Sequence, residues 1–361
     1  MDLRQFRGYS RIMARLFESL QDILSHDYDT VIDVRSPSEF AEDHIPGAIN
    51  LPALSDAERA EVGTIYVQSS AFRAKKIGAA MVARNAASHL DGPLAQKDGA
   101  WRPLIYCWRG GQRSGSFASI LSQIGWRAET IEGGYRSYRR MIVSALHDTP
   151  LRHQLILLDG YTGTAKTDLL QLLTERGVQT LDLEGLAEHR GSIFGHRAIA
   201  QPGQKAFEGR LAAALSPLDP NRPTVVEAES SKIGTCQIPP SLWAAMCQAP
   251  RIRVSASLEA RAEYLVRAYD DLLATPEDLK ATLGFLRRMQ GREKVEHWQG
   301  LVDAGDYRDL AAELMQTHYD PRYAKSRDRT EFELYGDVRA VDLTPDGLQD
   351  VADRLVRLTQ L

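Results

Sequence analysis

Cys107 follows the apolar run Pro103-Leu104-Ile105-Tyr106 and opens the segment Trp108-Arg109-Gly110-Gly111-Gln112-Arg113-Ser114. A short strand that delivers a cysteine into a glycine-rich turn, then feeds a helical pattern from Phe117 to Ile124, is an anion-handling arrangement. Backbone amides of such a turn aim at one point, and a helix N-terminus backs them, so thiolate is favoured over thiol. Arg109 and Arg113 add positive charge nearby in sequence. Cys107 therefore reads as a nucleophile, Arg109 and Arg113 as its cationic assistants, and Gly110, Gly111 and Ser114 as the anion cradle. A buried structural cysteine is the plainer alternative, but it has no use for Arg-Gly-Gly-Gln-Arg.

A second chemical segment lies further on. Gln154-Leu155-Ile156-Leu157-Leu158 is a buried-type strand running into Asp159-Gly160-Tyr161-Thr162-Gly163-Thr164-Ala165-Lys166-Thr167, and leucines at helical spacing follow. Strand, glycine turn and helix with Lys-Thr at its start is the context of a P-loop. Gly160, Gly163, Thr164, Lys166 and Thr167 are the expected phosphate or diphosphate ligands, and the Thr167 hydroxyl is a possible Mg²⁺ ligand. Ala165 stands where that motif has its last glycine. Its methyl is expected either to narrow the approach to phosphate or to resist a positive φ, which weighs against nucleotide hydrolysis more than against phosphate binding.

Further candidates for this second site or for RNA contacts are Arg190, Arg197, Glu227, Glu229, Lys232, Arg322 and Lys325. Glu227 and Glu229 stand at the exit of a strand, Thr224 to Glu227, as acids near phosphate sites do; salt bridging is the plainer reading. Arg322, Lys325, Arg327 and Arg329 mix with Tyr319 and Tyr323, a cation–aromatic composition suited to RNA or diphosphate and equally to a solvated loop.

The elements that must position these groups alternate as an α/β chain does. Strand signals occur at Thr30 to Arg35, around Ile49, at Leu104 to Tyr106 and at Ala128 to Ile131. Met13 to Leu20 reads as helical, and Ser36-Pro37 with Glu39 reads as a helix start. A long stretch, about 55–101, carries a helix from Ala71 to His89 whose Lys75, Lys76 and Arg84 form either a solvated face or an RNA contact. His147-Asp148-Thr149-Pro150 is a connector. Beyond it the spacing predicts strands at Gln179 to Leu183, Arg251 to Ser255 and Val338 to Leu343. It also predicts helices at Gln204 to Leu215, Thr275 to about Met289, Asp306 to Met315 and from Thr344 on. The domain division is therefore 1–145 and 146–361.

With 361 residues, 43% of them hydrophobic, there is ample material for two cores. Three widely spaced cysteines build neither a disulfide framework nor a metal site, which fits a reducing cytoplasm. No run has membrane length, and the first fifteen residues have no signal-type apolar region. A net charge of −4 does not announce a nucleic-acid binder, so any RNA surface is a local patch.

Ile32-Asp33-Val34-Arg35, Glu39-Phe40, His44-Ile45-Pro46-Gly47-Ala48-Ile49-Asn50 and the Cys107 loop together resemble a rhodanese domain, which implies a cysteine carrying a transferable chalcogen. A cysteine-dependent phosphatase also fits the Cys-x5-Arg spacing of Cys107 and Arg113, but Tyr106 stands where such enzymes usually have His. Adding the P-loop, Gly133-Gly134-Tyr135-Arg136, Leu181-Asp182-Leu183-Glu184-Gly185-Leu186-Ala187, His189-Arg190-Gly191-Ser192 and Tyr319-Asp320-Pro321-Arg322-Tyr323, nearly the whole chain resembles the bacterial tRNA 2-selenouridine synthases. The resemblance implies an N-terminal rhodanese-like parallel sheet followed by a P-loop-like α/β domain with a helical C-terminal part.

It also implies replacement of sulfur in wobble 2-thiouridine of tRNA by selenium from selenophosphate, through an S-geranyl intermediate made from geranyl diphosphate. Cys107 would then pass through an S-selanylcysteine form and Gly160 to Thr167, Lys166 above all, would hold the departing diphosphate. No tightly bound cofactor is implied; selenophosphate and geranyl diphosphate are co-substrates, and Mg²⁺ is possible. Two other classes fit the same residues: an ATP-dependent rhodanese-type sulfurtransferase acting on RNA, and a non-catalytic RNA adaptor, against which the intact Cys107 and Lys166-Thr167 segments argue.

Overall fold

The computed structural model describes residues 13–197, 199–327 and 332–359. The lead-in before Met13 and Arg329 lie outside them. The chain divides into two compact units, Met1–Thr149 with Lys205–Ser216, and Pro150–Gln204 with Pro217–Leu361. Both are α/β with parallel sheets, the fold class expected.

The first unit is built on strands β1 (Ala14–Arg15), β2 (Thr30–Asp33), β3 (Ile49–Asn50), β4 (Pro103–Tyr106) and β5 (Glu129–Ile131), in the spatial order β1-β5-β4-β2-β3. Every pairing is parallel. β4 is buried along its whole length, as a strand covered on both faces must be. The expected helix over Met13 to Leu20 is instead an edge strand: Thr130 donates its N–H to the Met13 carbonyl at 3.0 Å and Glu132 donates to Arg15 at 2.9 Å. A remote strand edge outweighs local propensity here. The helix begins only at Leu20, where Ser19 caps it by accepting from the Asp22 N–H.

Between β3 and β4, two helices, Asp56–Gln68 and Ala71–Asp91, form the long stretch foreseen in the sequence. Met81, Val82, Ala86 and Leu94 join Ile32, Ile105 and Phe117 in one core, and Lys75, Lys76 and Arg84 stay exposed.

The second unit carries β6 (Leu155–Asp159), β7 (Gln179–Leu181), β8 (Thr224–Glu227), a two-stranded antiparallel ribbon of β9 (Lys232–Ile233) and β10 (Cys236–Gln237), β11 (Arg251–Ser255) and β12 (Leu334–Arg339). The sheet order is β12-β11-β6-β8-β7, all parallel. β6 therefore lies at the point where strand order reverses, the usual ligand crevice of an open α/β sheet. Helices Lys166–Glu175 and Pro345–Thr359 share one core, joining Leu169, Leu170 and Leu173 to Leu348, Val351 and Leu355.

β12 begins earlier than its residue types predict. Its register is set by parallel pairing to β11, while Asp342 already accepts from the Thr344 N–H at 3.0 Å in the turn before the last helix. The helix expected to reach Met289 stops after Gly284, a poor helix former, and a separate turn, Arg287–Gln290, follows. Around Trp298 a further core gathers helices Pro276–Gly284, Arg292–Ala304 and Tyr307–Leu314. No helix among the described residues is long and apolar enough to cross a membrane.

Candidate active sites

In the first unit, β4 ends at Tyr106 and helix Gln112–Ile124 begins after Gly111, so Cys107 sits at the strand's carboxyl end under a helix N-terminus. Its Sγ lies 3.1 Å from the Ser114 hydroxyl and accepts from the Gly111 N–H at 3.3 Å. Burial pushes the thiol pKa up, but the Ser114 hydroxyl and the amides of Ser114, Arg109 and Gly111 outweigh it, leaving the thiol more acidic than usual. Gly111 and Ser114, two of the three expected cradle residues, meet the sulfur, while Gly110 forms the turn at φ +65°. Arg109 contributes its backbone amide, and its side chain is exposed.

Arg113, expected to assist Cys107 with its positive charge, has a carboxylate partner. It donates to the Glu39 carboxylate at 2.9 Å, and Arg59 meets the same carboxylate at 3.0 Å. Burial raises the Glu39 carboxyl, and the two guanidiniums more than reverse this, so it stays ionised. The Cys-x5-Arg spacing therefore ends in an ion pair.

The Gly133-Gly134-Tyr135 segment buttresses the cradle from behind. Tyr135 donates its N–H to the Cys107 carbonyl at 2.9 Å and Arg136 donates to that of Trp108 at 3.1 Å. Gly134 has φ +57°, and a Cβ there would collide with the Cys107 carbonyl oxygen, so only glycine fits. Below it Arg35, fully buried, pairs with Asp33 at 2.6 Å, donates to the Asp43 carbonyl and stacks 3.9 Å from the Tyr135 ring centroid. Tyr135 in turn donates to the Asp43 carboxylate at 2.6 Å. Trp108 remains 37% exposed at the lip of the cradle.

In the second unit, the loop after β6 opens onto a cavity of 1040 Å³. Gly163, Thr164, Lys166, Thr167, Arg190, Arg197, Glu227, Glu229 and Arg322 all line it. Gly160 lies behind, its carbonyl accepting from Lys166 Nζ at 3.2 Å. Lys232 and Lys325 are exposed and do not line the cavity; the two-residue strand around Lys232 and the helix carrying Lys325 present them to solvent. The Arg327 side chain lies outside what is described.

Ala165 overturns its expectation. It takes φ +59° and ψ +33°, the left-handed conformation of the motif's glycine. It is buried in the core with Leu169 and Val254 and also lines the cavity, so the expectation that fails is resistance to a positive φ. The strain, ~1 kcal/mol, is offset by a buried methyl worth ~0.8 kcal/mol.

Acidic groups shape the rest of the cavity. Thr167 donates to Glu184 at 3.1 Å, and the Glu184 N–H donates to Glu227 at 2.8 Å. Burial raises the Glu184 carboxyl, partly opposed by Lys166 and Thr167. Burial, then Glu184, pushes Glu229 up to about 8, and burial takes Glu227 well above the carboxylate range. Gly191, φ +68°, passes so close that a Cβ would lie 2.7 Å from Glu184 Oε1 and 2.9 Å from Glu229 Oε2. Burial pulls Lys166 down, but Tyr323, Glu229, Glu184 and Asp159 outweigh it and keep it charged. Its ammonium lies 5.8 Å from the Tyr323 ring centroid. Among the described residues, no three His, Cys, Asp or Glu are arranged to hold a metal.

Sequence reading missed Glu184, Arg251 and Arg261 as cavity or loop residues. Arg261, nearly buried, donates to the Thr162 carbonyl at 3.1 Å and grips Asp320 at 3.0 and 2.8 Å, fixing the phosphate loop to the Tyr319-Asp320-Pro321 segment. Arg251 faces Asp159 at 3.6 Å. The signal for Glu184 was its place just past β7; nothing local marks Arg261, which sits on an ordinary amphipathic helix.

A rhodanese-type cysteine turn in one unit and a P-loop-type cavity in the other define a two-domain α/β protein of rhodanese and P-loop class. A rhodanese-like domain model matches residues 16–141, and that of the tRNA 2-selenouridine synthase AAA domain matches residues 153–342. Curated relatives from several bacteria bear the name tRNA 2-selenouridine synthase. The one from Hahella chejuensis is 36% identical over 81% of this chain and 84% of its own. That from Chromohalobacter salexigens is 35% identical over 84% and 89%, and that from Bordetella petrii 33% over 83% and 87%. The chain belongs to the tRNA 2-selenouridine synthase family.

Proposed function

We propose that this chain exchanges sulfur for selenium at C2 of wobble 2-thiouridine in tRNA, as a selenotransferase and geranyltransferase of the cytoplasm. In the first step the thiocarbonyl sulfur attacks C1 of geranyl diphosphate. The carbon–oxygen bond breaks, diphosphate departs and the base gives up its N3 proton. Lys166, the amides of Gly163 to Thr167 and the dipole of helix Lys166–Glu175 stabilise the departing charge. Thr167 and diphosphate oxygens would hold Mg²⁺, a hard cation suited to oxygen ligands.

In the second step the phosphorus–selenium bond of selenophosphate breaks, water takes the phosphoryl group and phosphate leaves, while selenium bonds to Cys107 Sγ and a small disulfide takes the two electrons to become two thiols. Those thiols then reduce the sulfur–selenium bond and are re-oxidised to the disulfide. The released selenide attacks C2, geranyl thiol leaves and Cys107 returns as thiol, so the net exchange is redox-neutral.

The observation that carries this reading is the Cys107 thiol, buried yet kept acidic by three amides and a hydroxyl, in a chain of this family. It is tested by nucleoside mass spectrometry of 2-thiouridine tRNA with geranyl diphosphate and selenophosphate, added singly and together. Geranylated base with the first donor and selenium base with both are expected. Cys107→Ala should stop at the geranylated base, and Lys166→Ala should lose geranylation while still loading selenium on Cys107.

One observation favours a second reading, an ATP-dependent sulfurtransferase: Ala165 keeps the left-handed turn of a nucleotide loop. ATP turnover stimulated by tRNA, with neither new base mass, would select it.

A further inference from the structure

Beside the phosphate loop lies a second, small cavity of 80 Å³, set inside the helical core around Trp298. Phe194, Leu272, Leu279, Leu310 and Leu314 form its walls and floor. Thr162, Ser192, Leu265, Tyr269 and Tyr319 line both this cavity and the larger one, so the two chambers share a rim. A void lined this way stays dry and takes apolar guests. Well-packed cores rarely leave such a space, and this one borders a loop built for phosphate.

We propose that this pocket receives the distal end of an isoprenoid chain whose diphosphate sits on the Gly160 to Thr167 loop. The inference rests on the reading of that loop as a prenyl-diphosphate site. The charged head faces Lys166 and the amides. The first carbons cross the rim over Leu265 and Tyr269, and the chain end enters among the leucines. Arg190, 4.7 Å from the Tyr269 ring centroid and paired with Asp271, lines the large cavity where the two regions meet. A ribose or base would find few partners for its polar atoms among these walls, and leaving them unpaired is costly. The size sets a limit as well: a water needs about 10–15 Å³ of such space, so 80 Å³ suits the end of a short chain better than that of a long one.

The test is calorimetric titration of the full chain with inorganic pyrophosphate and with dimethylallyl, geranyl and farnesyl diphosphates. Wild type should bind geranyl diphosphate at least tenfold more tightly than pyrophosphate, and more tightly than the shorter and longer prenyl diphosphates. Ala311→Leu, which fills the pocket, should abolish the geranyl advantage with pyrophosphate affinity within twofold of wild type. Leu272→Ala, which enlarges it, should raise farnesyl affinity relative to geranyl severalfold, and decides the matter should the first variant fold poorly. Retention of the full geranyl advantage in Ala311→Leu, with farnesyl unmoved in Leu272→Ala, overturns the pocket assignment and leaves the diphosphate reading standing. A wild-type protein that binds pyrophosphate, prefers no prenyl chain and transfers none to tRNA overturns the underlying reading itself.

Discussion

Ser114 and the amides of Arg109, Gly111 and Ser114 set the reactivity of Cys107 against the burial that opposes it. A hydrogen bond to a charged group contributes ~1.5 kcal/mol or more, about one decade in protonation. Ser114→Ala should therefore lower the thiolate fraction at pH 7 by about tenfold, read as slower iodoacetamide alkylation and a rate profile displaced to higher pH. At the second site Glu229 holds its proton up to about pH 8 because it is buried beside Glu184. Below that pH it is neutral. As pH rises through it, a negative charge appears near Lys166 and repels a bound diphosphate. Pyrophosphate affinity should accordingly fall above pH 8 in wild type, while Glu229→Gln should flatten the profile between pH 7 and 9. A steep loss retained in the variant would place the titration elsewhere. Residue types alone nominated Cys107, Lys166 and Glu229. They could not show that Arg113 is held by Glu39, a partner far off in sequence, or that Arg109 acts through its amide, which depends on the path of the backbone rather than on residue type.

Elements place these side chains through two turns that few residues can adopt. Gly134 sits against the Cys107 carbonyl with φ +57°, so Gly134→Ala should cost ~2–4 kcal/mol in denaturant unfolding and slow Cys107 alkylation. Ala165 is the converse case. Strain and burial nearly cancel, so Ala165→Gly should change stability by less than ~1 kcal/mol. Ala165→Val, β-branched and larger in the same left-handed turn, should cost ~2–3 kcal/mol. The Lys-Thr turn between a buried strand and a leucine helix was legible because it is local. The edge strand Ala14–Arg15 was not, since two residues become a strand only when Thr130 and Ile131 lie beside them.

At the scale of the molecule, helix Gln204–Leu215 lies in sequence within the second unit, yet Lys205–Ser216 belongs to the first. There Glu208, nearly buried, pairs with Arg139, and its other carboxylate oxygen accepts from His147 Nε2 at 3.1 Å. Removing one partner of a buried pair strands the other. Glu208→Ala should thus lower the stability of the first unit by about 3 kcal/mol, seen as an earlier transition in calorimetry with Cys107 as the spectroscopic or alkylation reporter. Two parallel α/β units, a cysteine at a glycine-rich turn, a P-loop-like turn and the family were legible along the chain, because each is written in residues adjacent to one another. Only the tertiary structure decided which unit owns residues 205–216, which arginines pair, where the acids gather, and that an apolar chamber adjoins the phosphate loop. Those features arise from contacts between segments tens to hundreds of residues apart, for which no local spacing rule exists.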